Sequence, residues 1–197
     1  MEKCITIGRE FGSGGRELGL RLASELHIPF YDKELISLAA EKGTLSPVIL
    51  EEYEERVFRP AYFSYRPALI GYYQQPISDK IFLEQFHIIK ELAEQGPCVI
   101  VGRCTDYALK DKAVNVFVHA DMASRIKRKL EMDIGVPEDK MERHINRVDR
   151  KRKSYYRHYT DQIWGMAKNY DLTVDTTDIG VEGAVKVVLA YLNLEDK

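Results

Sequence analysis

Residues 4–17, Cys-Ile-Thr-Ile-Gly-Arg-Glu-Phe-Gly-Ser-Gly-Gly-Arg-Glu, constrain the fold of this chain more than any other stretch. The β-branched run Ile5-Thr6-Ile7 predicts a short strand. Gly12-Ser13-Gly14-Gly15 breaks it, and the periodic apolar positions from Leu18 to Leu26 predict an amphipathic helix directly afterwards. A strand that turns through glycines into a helix aims several backbone N–H groups into one concavity. The positive end of the helix dipole stands behind them, so the arrangement suits a phosphate.

Set against the phosphate-loop pattern G-x-x-x-x-G-K-[ST], the segment fits only in part. If Gly15 takes the last glycine, Arg16 stands at the lysine position, Glu17 at the Mg²⁺-binding hydroxyl, and Glu10 at the first glycine. The cradle itself is made of backbone, and Gly12, Gly14 and Gly15 permit the positive φ and close approach it needs. Arg16 keeps a fixed charge, although its planar fork differs from an ammonium point charge. Glu17 either ligates Mg²⁺ through hard oxygens or complements the helix dipole in the first turn. Gly12, Ser13, Gly14, Gly15, Arg16 and Glu17 are therefore the expected binding set for the phosphates of a nucleoside triphosphate, with Glu17 the candidate Mg²⁺ ligand. The competing reading is a glycine-rich turn without a ligand.

A length of 197 residues gives one α/β domain with a sizeable core and room for a small insertion. Net charge is −2, which argues against nucleic acid or an anionic membrane as partner. No apolar run reaches a membrane span, and the first strand begins too early to leave space for a signal peptide. Cys4, Cys98 and Cys104 have no metal-ligand spacing, and a reducing, cytoplasmic setting fits them. The five histidines, His27, His87, His119, His144 and His158, are likewise spaced unlike a metal site.

Along the chain, Pro29 to Asp32 reads as a second strand, and helices are expected over 33–43 and Val48 to Val57. The segment 58–76 is rich in aromatics and proline. It serves either as a base-stacking surface, through Tyr62, Phe63 and Tyr65 with Arg59 or Arg66, or as a patch buried between subunits of a homo-oligomer. Ser78 to Glu94 predicts a helix. Cys98 to Gly102 predicts a strand buried on both faces. Ala113 to His119 predicts another strand, and a helix capped by Asp121 runs to about Met132. A long basic helix spans Glu138 to about His158, Leu172 to Asp175 forms a fifth strand, and Val181 to Leu192 the last helix. Strands alternating with helices predict a parallel sheet covered on both faces.

The order of these landmarks resembles the cytidylate kinases, and more closely the cytidylate-kinase-like branch of P-loop nucleoside monophosphate kinases. Ile5-Thr6-Ile7 and Gly12 to Arg16 look like the family's first strand and phosphate loop. Tyr31-Asp32 looks like the aspartate ending its second strand, and Val101-Gly102-Arg103 is similar to the Gly-Arg that meets the monophosphate. Arg125 and Arg128 fall where the family places basic residues before its lid. Arg147, Asp149 and Arg152 look like the lid motif, and Val174-Asp175-Thr176 like the final strand. The resemblance implies a single three-layer P-loop NTPase domain over 1–197, with a five-stranded parallel sheet flanked by helices. It also implies a helical acceptor-binding insertion over about 44–95 and a helical lid over about 133–158. Cytidylate kinases proper carry acidic residues on either side of the Gly-Arg, where this chain has Val101 and Cys104.

The implied activity is ATP- and Mg²⁺-dependent phosphoryl transfer to a small acceptor, a nucleoside monophosphate such as CMP or dCMP. Such transfer needs in-line positioning and neutralised charge rather than covalent help. Arg16, Arg147 and Arg152 are the expected catalytic residues, with Arg143 at helical spacing behind them. Asp32, Arg103 and Asp149 are expected on the acceptor side. Arg103 would project from a strand end into the crevice where α/β sheets bind ligands. Asp32 reads equally as a helix N-cap, Asp149 as a partner of Arg152 or Lys153, and Asp106 as an outer-sphere Mg²⁺ ligand or, more simply, a residue on a helix surface. The lid run also reads as a solvated face. The alternatives to a nucleoside monophosphate kinase are a non-catalytic nucleotide-binding protein on the same fold, a kinase of another small metabolite, and an RNA-binding module.

Overall fold

The computed structural model describes residues 3–32 and 77–195. The helices expected over 33–43 and 48–57, and the aromatic segment 58–76, lie outside the described residues. Five strands form one parallel sheet: β1 (Cys4–Arg9), β2 (Phe30–Tyr31), β3 (Val99–Val101), β4 (Ala113–His119) and β5 (Leu172–Asp175), in the order β2-β3-β1-β4-β5. β1 sits at the centre, with Ile5 opposite Val99 on one side and Val114 on the other.

These strands belong inside because they are apolar on both faces. Ile5, Ile7, Val99, Ile100, Val101, Val114, Val116 and Val118 are all buried, as parallel strands covered on each side must be. Each such side chain contributes about 1.5–3 kcal/mol by leaving water. One face packs on α1 (Gly15–Leu26) and α6 (Gly180–Glu195) through Leu18, Leu22, Ala184 and Val188. The other packs on α2 (Ile77–Gln95) through Ile81, Ile88 and Ile89 and on the short α3 (Thr105–Ala108). Polar residues inside the sheet are paired off. Thr6 donates to Asn115 Oδ1 at 2.7 Å, and Asn115 donates to Asp171 through its backbone N–H at 2.7 Å.

Two helices then cross the carboxyl ends of the strands. α4 (Met122–Glu131) starts at Asp121, whose Oδ1 accepts from the Ser124 N–H at 2.6 Å, the expected cap. α5 (Glu138–Thr160) runs slightly further than the sequence pattern suggests. Its end is set by Asp161 in the left-handed region, φ 54°, whose N–H returns to the Arg157 carbonyl. The second half of α5 is anchored by aromatics. Tyr155 and Tyr156 are buried, and Tyr159 stacks on Phe82 of α2 with centroids 4.0 Å apart. Among the described residues no helix is long and apolar enough to cross a membrane. The rim formed by the ends of β1 and β3 carries Arg9, Gly102 and Arg103, and the glycine-rich turn opens beside it.

Candidate active site

The turn between β1 and α1 is shaped by what holds its carbonyls. Arg125 Nε donates to the Phe11 carbonyl at 2.8 Å, and Arg128 donates to that of Gly12 at 2.6 Å. Thr176 donates to the Ser13 carbonyl at 2.7 Å. Leu18 N–H closes the first helical bond on the Gly14 carbonyl at 2.9 Å. In a planar trans peptide the N–H points opposite to the C=O. The amides of Gly12, Gly14 and Gly15 therefore each point away from the donor that holds the carbonyl of the same peptide. Ser13 N–H and its hydroxyl both return to the Glu10 carbonyl, at 3.3 and 2.9 Å, so Ser13 braces the turn. The amides at the start of α1 precede the first intrahelical bond and add to the same positive terminus. Gly14 has to be glycine, since its φ is 86° and a Cβ there would stand 2.6 Å from Val181.

Beneath the turn lies a buried ion cluster. Arg125, 4% exposed, reaches Glu10 Oε2 at 3.2 Å and pairs with Asp149. Asp149, 6% exposed, also accepts the Phe11 N–H at 2.8 Å. Thus both polar groups of the Phe11 backbone are fixed, one by α4 and one by α5. The Phe11 ring lies under Lys129 Nζ, 4.4 Å from the centroid, and near the guanidinium of Arg152 at 5.5 Å.

Next to the turn is a crevice lined by Arg9, Arg103, Arg152, Asp106, Tyr156 and Trp164 among others. Its floor is a strained corner. Gly102, Arg103 and Cys104 have φ of 79°, 61° and 54°, three consecutive left-handed residues at the end of β3. Gly102 leaves room for Arg9, whose Nη1 would meet an added Cβ at 1.8 Å. Arg152 donates to the Arg9 carbonyl at 3.2 Å. Asp106 is buried and accepts the Tyr156 hydroxyl at 2.5 Å. Burial pushes its carboxyl up to about 6, against the opposing pull of that hydrogen bond.

The residues expected from sequence are distributed as follows. Arg103 and Arg152 meet in the crevice. Arg16 turns to the end of β2, where its Nε donates to Asp32 Oδ2 at 2.8 Å, and Arg9 approaches the other oxygen of Asp32 at 3.7 Å. Asp32 is thus buried between two guanidiniums. Glu17 accepts from Arg21 one turn along α1 at 2.7 Å. Asp149 lies under the turn rather than in the crevice. Arg147 donates to His144 Nδ1 at 3.0 Å and, with Arg143 and Lys140, lines a separate cavity of about 300 Å³ beside Gly135-Val136-Pro137. The expectation of a surface-exposed Asp106 is corrected: the turn at the end of β3 folds it inward onto Tyr156. Arg9 and Lys129 are members of this region that the motif reading passed over. The legible signal for Lys129 was its spacing, since Arg125, Arg128 and Lys129 stand at i, i+3 and i+4 and share a helix face.

The chain as a whole resembles known proteins. The family model described as the cytidylate kinase-like family matches residues 4–178. No curated protein matches the chain. Among solved structures, an uncharacterized protein from Eubacterium ventriosum ATCC 27560 is 27% identical with a TM-score of 0.74, the match covering 98% of this chain and 99% of that one. Shikimate kinase from Bacteroides thetaiotaomicron is 15% identical with a TM-score of 0.59 over 98% and 99% of the two chains. Shikimate kinase from Acinetobacter baumannii, in complex with shikimate, is 14% identical with a TM-score of 0.56 over 100% and 96%. The last two share the fold, an α/β P-loop architecture with its five-stranded parallel sheet. With the family model spanning β1 to the end of β5, the chain belongs to the cytidylate kinase-like family.

Proposed function

We propose that the protein transfers the terminal phosphoryl group of ATP to a nucleoside monophosphate of the CMP or dCMP type. The observation that carries this reading is the set of tied carbonyls from Phe11 to Gly14, which leaves the amides of Gly12, Gly14 and Gly15 pointing away from those ties, beside a crevice lined by Arg9, Arg103 and Arg152. Anionic donor and anionic acceptor would meet there with their charges neutralised, which is the main task in phosphoryl transfer. Arg103 and Arg152 present forks suited to phosphate oxygens. A monophosphate acceptor is ionised at neutral pH and needs no proton acceptor. Membership in a kinase-like family supports the reaction class, and the acceptor is the finer step of the proposal.

Mg²⁺ takes few protein ligands when phosphates supply the rest. Glu17, in the first turn of α1 and half-exposed beside the loop amides, fits that demand and would hold the ion with the substrate phosphates. The ion would neutralise charge on the transferring group. The reduced, buried thiols of Cys4, Cys98 and Cys104 support a reducing compartment such as the cytoplasm.

A second reading rests on Asp106. A buried carboxyl with its pKa near neutrality, on the crevice wall, suits an acceptor whose hydroxyl must lose a proton. The deciding experiment is a turnover assay with Mg-ATP against a panel of nucleoside monophosphates and small hydroxy acids. Phosphorylation of CMP or dCMP supports the first reading, and phosphorylation confined to a hydroxy acid supports the second. Mg-ATP binding without turnover of any acceptor overturns both in favour of a non-catalytic nucleotide-binding protein.

A further inference from the structure

We infer that Cys4 and Cys98 are a modification site, at which a hydroperoxide joins the two thiols in a reversible disulfide that staples β1 to the lead into β3. The inference stands apart from the nucleotide reading. The pair lies at the amino ends of these strands, and the glycine-rich turn and the crevice lie at the carboxyl ends.

The two sulfurs are 3.5 Å apart and in contact. The sheet brings them together. Ile5 pairs with Val99, and the Ile5 N–H donates to the Cys98 carbonyl at 2.8 Å, so Cys4 and Cys98 hold the matching positions one step earlier. Both side chains leave the same face of the sheet and pack in one cluster with Ile81, Ile88 and Ile89 of α2. Neighbouring strands run about 4.8 Å apart, inside the range of about 4.4–6.8 Å that a disulfide spans between Cα atoms. Side-chain rotation therefore closes the bond with the strands in place. Cys104 belongs to a different cluster, with Phe82, Tyr155 and Tyr156.

Both thiols are buried, but their cover is thin. Cys4 Sγ lies 3.6 Å from the carbonyl of Gly96, in the partly exposed turn Gln95-Gly96-Pro97. Nothing stands within 4 Å of where a Gly96 Cβ would be, so this turn can lift without displacing a packed neighbour. With Cys98 as donor, the S–H···S bond lowers Cys4 to about 7, and the same bond and burial push Cys98 up. Cys4 is thus the nucleophile and Cys98 the resolving thiol. The Cys4 thiolate attacks the peroxide O–O bond and keeps one oxygen as a sulfenic acid. The other oxygen leaves with a proton, as water when the oxidant is hydrogen peroxide. The Cys98 sulfur then attacks the Cys4 sulfur, the S–O bond breaks, and hydroxide departs with the Cys98 proton as a second water. Each sulfur has lost one electron, and the peroxide has gained two.

The test treats the folded full chain with hydrogen peroxide in native buffer, then blocks remaining thiols and maps the peptides by mass. The expected product is one intramolecular link between the peptides holding Cys4 and Cys98, with Cys104 still a thiol. Dithiothreitol should restore both thiols. Because the link closes the chain from residue 4 to residue 98, the oxidised form should unfold at a urea concentration higher by about 1 M or more. Cys98→Ser should abolish the link and leave Cys4 as a sulfenic acid that a dimedone probe captures. Cys4 and Cys98 both recovered as thiols after treatment, oxidation confined to Cys104, or an unshifted urea midpoint in the linked chain would each overturn the inference.

Discussion

Asp149, about three-quarters of the way along the chain, accepts the backbone N–H of Phe11 at 2.8 Å and so fixes the glycine-rich turn from a helix that the sequence pattern assigns to a lid. The same carboxylate pairs with buried Arg125. The helix is therefore part of the foundation of the loop, and its role in any closing motion has to be carried by its first half, where Arg143 and Arg147 lie.

Removal of that carboxylate should be costly. Asp149→Ala leaves Arg125 buried with only Glu10 as a charged partner and orphans the Phe11 amide. We expect a loss of about 3–5 kcal/mol, the scale of a broken buried pair, read from urea unfolding. A change under about 1 kcal/mol would show that the cluster contributes little.

Asp106 gives the fold a pH dependence of defined sign. Its folded pKa is raised from 3.8 to about 6, so the folded chain binds this proton more tightly than the unfolded chain. Its contribution to stability is greatest below about 3.8, declines as pH rises toward 6, and stays lost above that. Asp106→Asn keeps an acceptor for Tyr156 without the charge. It should flatten this slope and stabilise the protein at pH 7 by on the order of 2–3 kcal/mol. Urea titrations across that pH range check both, and an unchanged slope would refute the assignment.

Gly102→Ala should act through Arg9. The added methyl occupies the place of Arg9 Nη1 and forces a side chain to hold φ 79°. We expect about 1–2 kcal/mol of destabilisation from the backbone alone, and a weakened acceptor affinity because Arg9 must leave the crevice. Crystal coordinates of the variant with Arg9 still against Asp32 would contradict this.

Arg103→Ala should raise the apparent KM for the acceptor about tenfold or more, the loss expected of one charge-assisted contact, with a smaller effect on the KM for ATP. Steady-state kinetics with each substrate varied in turn provide the check, and the reverse ranking would move Arg103 to the donor side.

Glu17→Gln separates a structural from a metal-binding role. The Glu17–Arg21 pair is half-exposed on one helix, so its loss should change stability by less than about 0.5 kcal/mol. Binding of Mg-ATP should nonetheless weaken while binding of metal-free ATP does not. Equal affinities for the two nucleotide forms in variant and parent would exclude Glu17 as a ligand.

The frame of this molecule was largely readable from its residues. Ala113 to His119 and Leu172 to Asp175 are strands over the expected spans, because β-branched runs between helical segments leave few other choices. The Asp121 cap is local and was equally plain. What escaped were partnerships across long stretches of chain. Arg125 and Asp149 sit in strongly basic helices whose composition suggests water-facing surfaces, and only the crossing of α4 and α5 under the turn buries them. Asp106 looked exposed because nothing near it in sequence announces Tyr156, fifty positions later. Asp32 was balanced between cap and ligand, and its two guanidinium partners come from different ends of the same loop.

The turn from Phe11 to Gly14 is held by donors from α4, from the end of β5 and from its own helix, so its shape does not depend on a guest. On the function proposed above, an anion arriving there would meet a backbone already held in place, and little ordering entropy would be spent on it at the moment of capture. Empty and occupied forms should accordingly superpose closely over these residues, and whatever adaptation accompanies binding should be confined to long side chains around the rim.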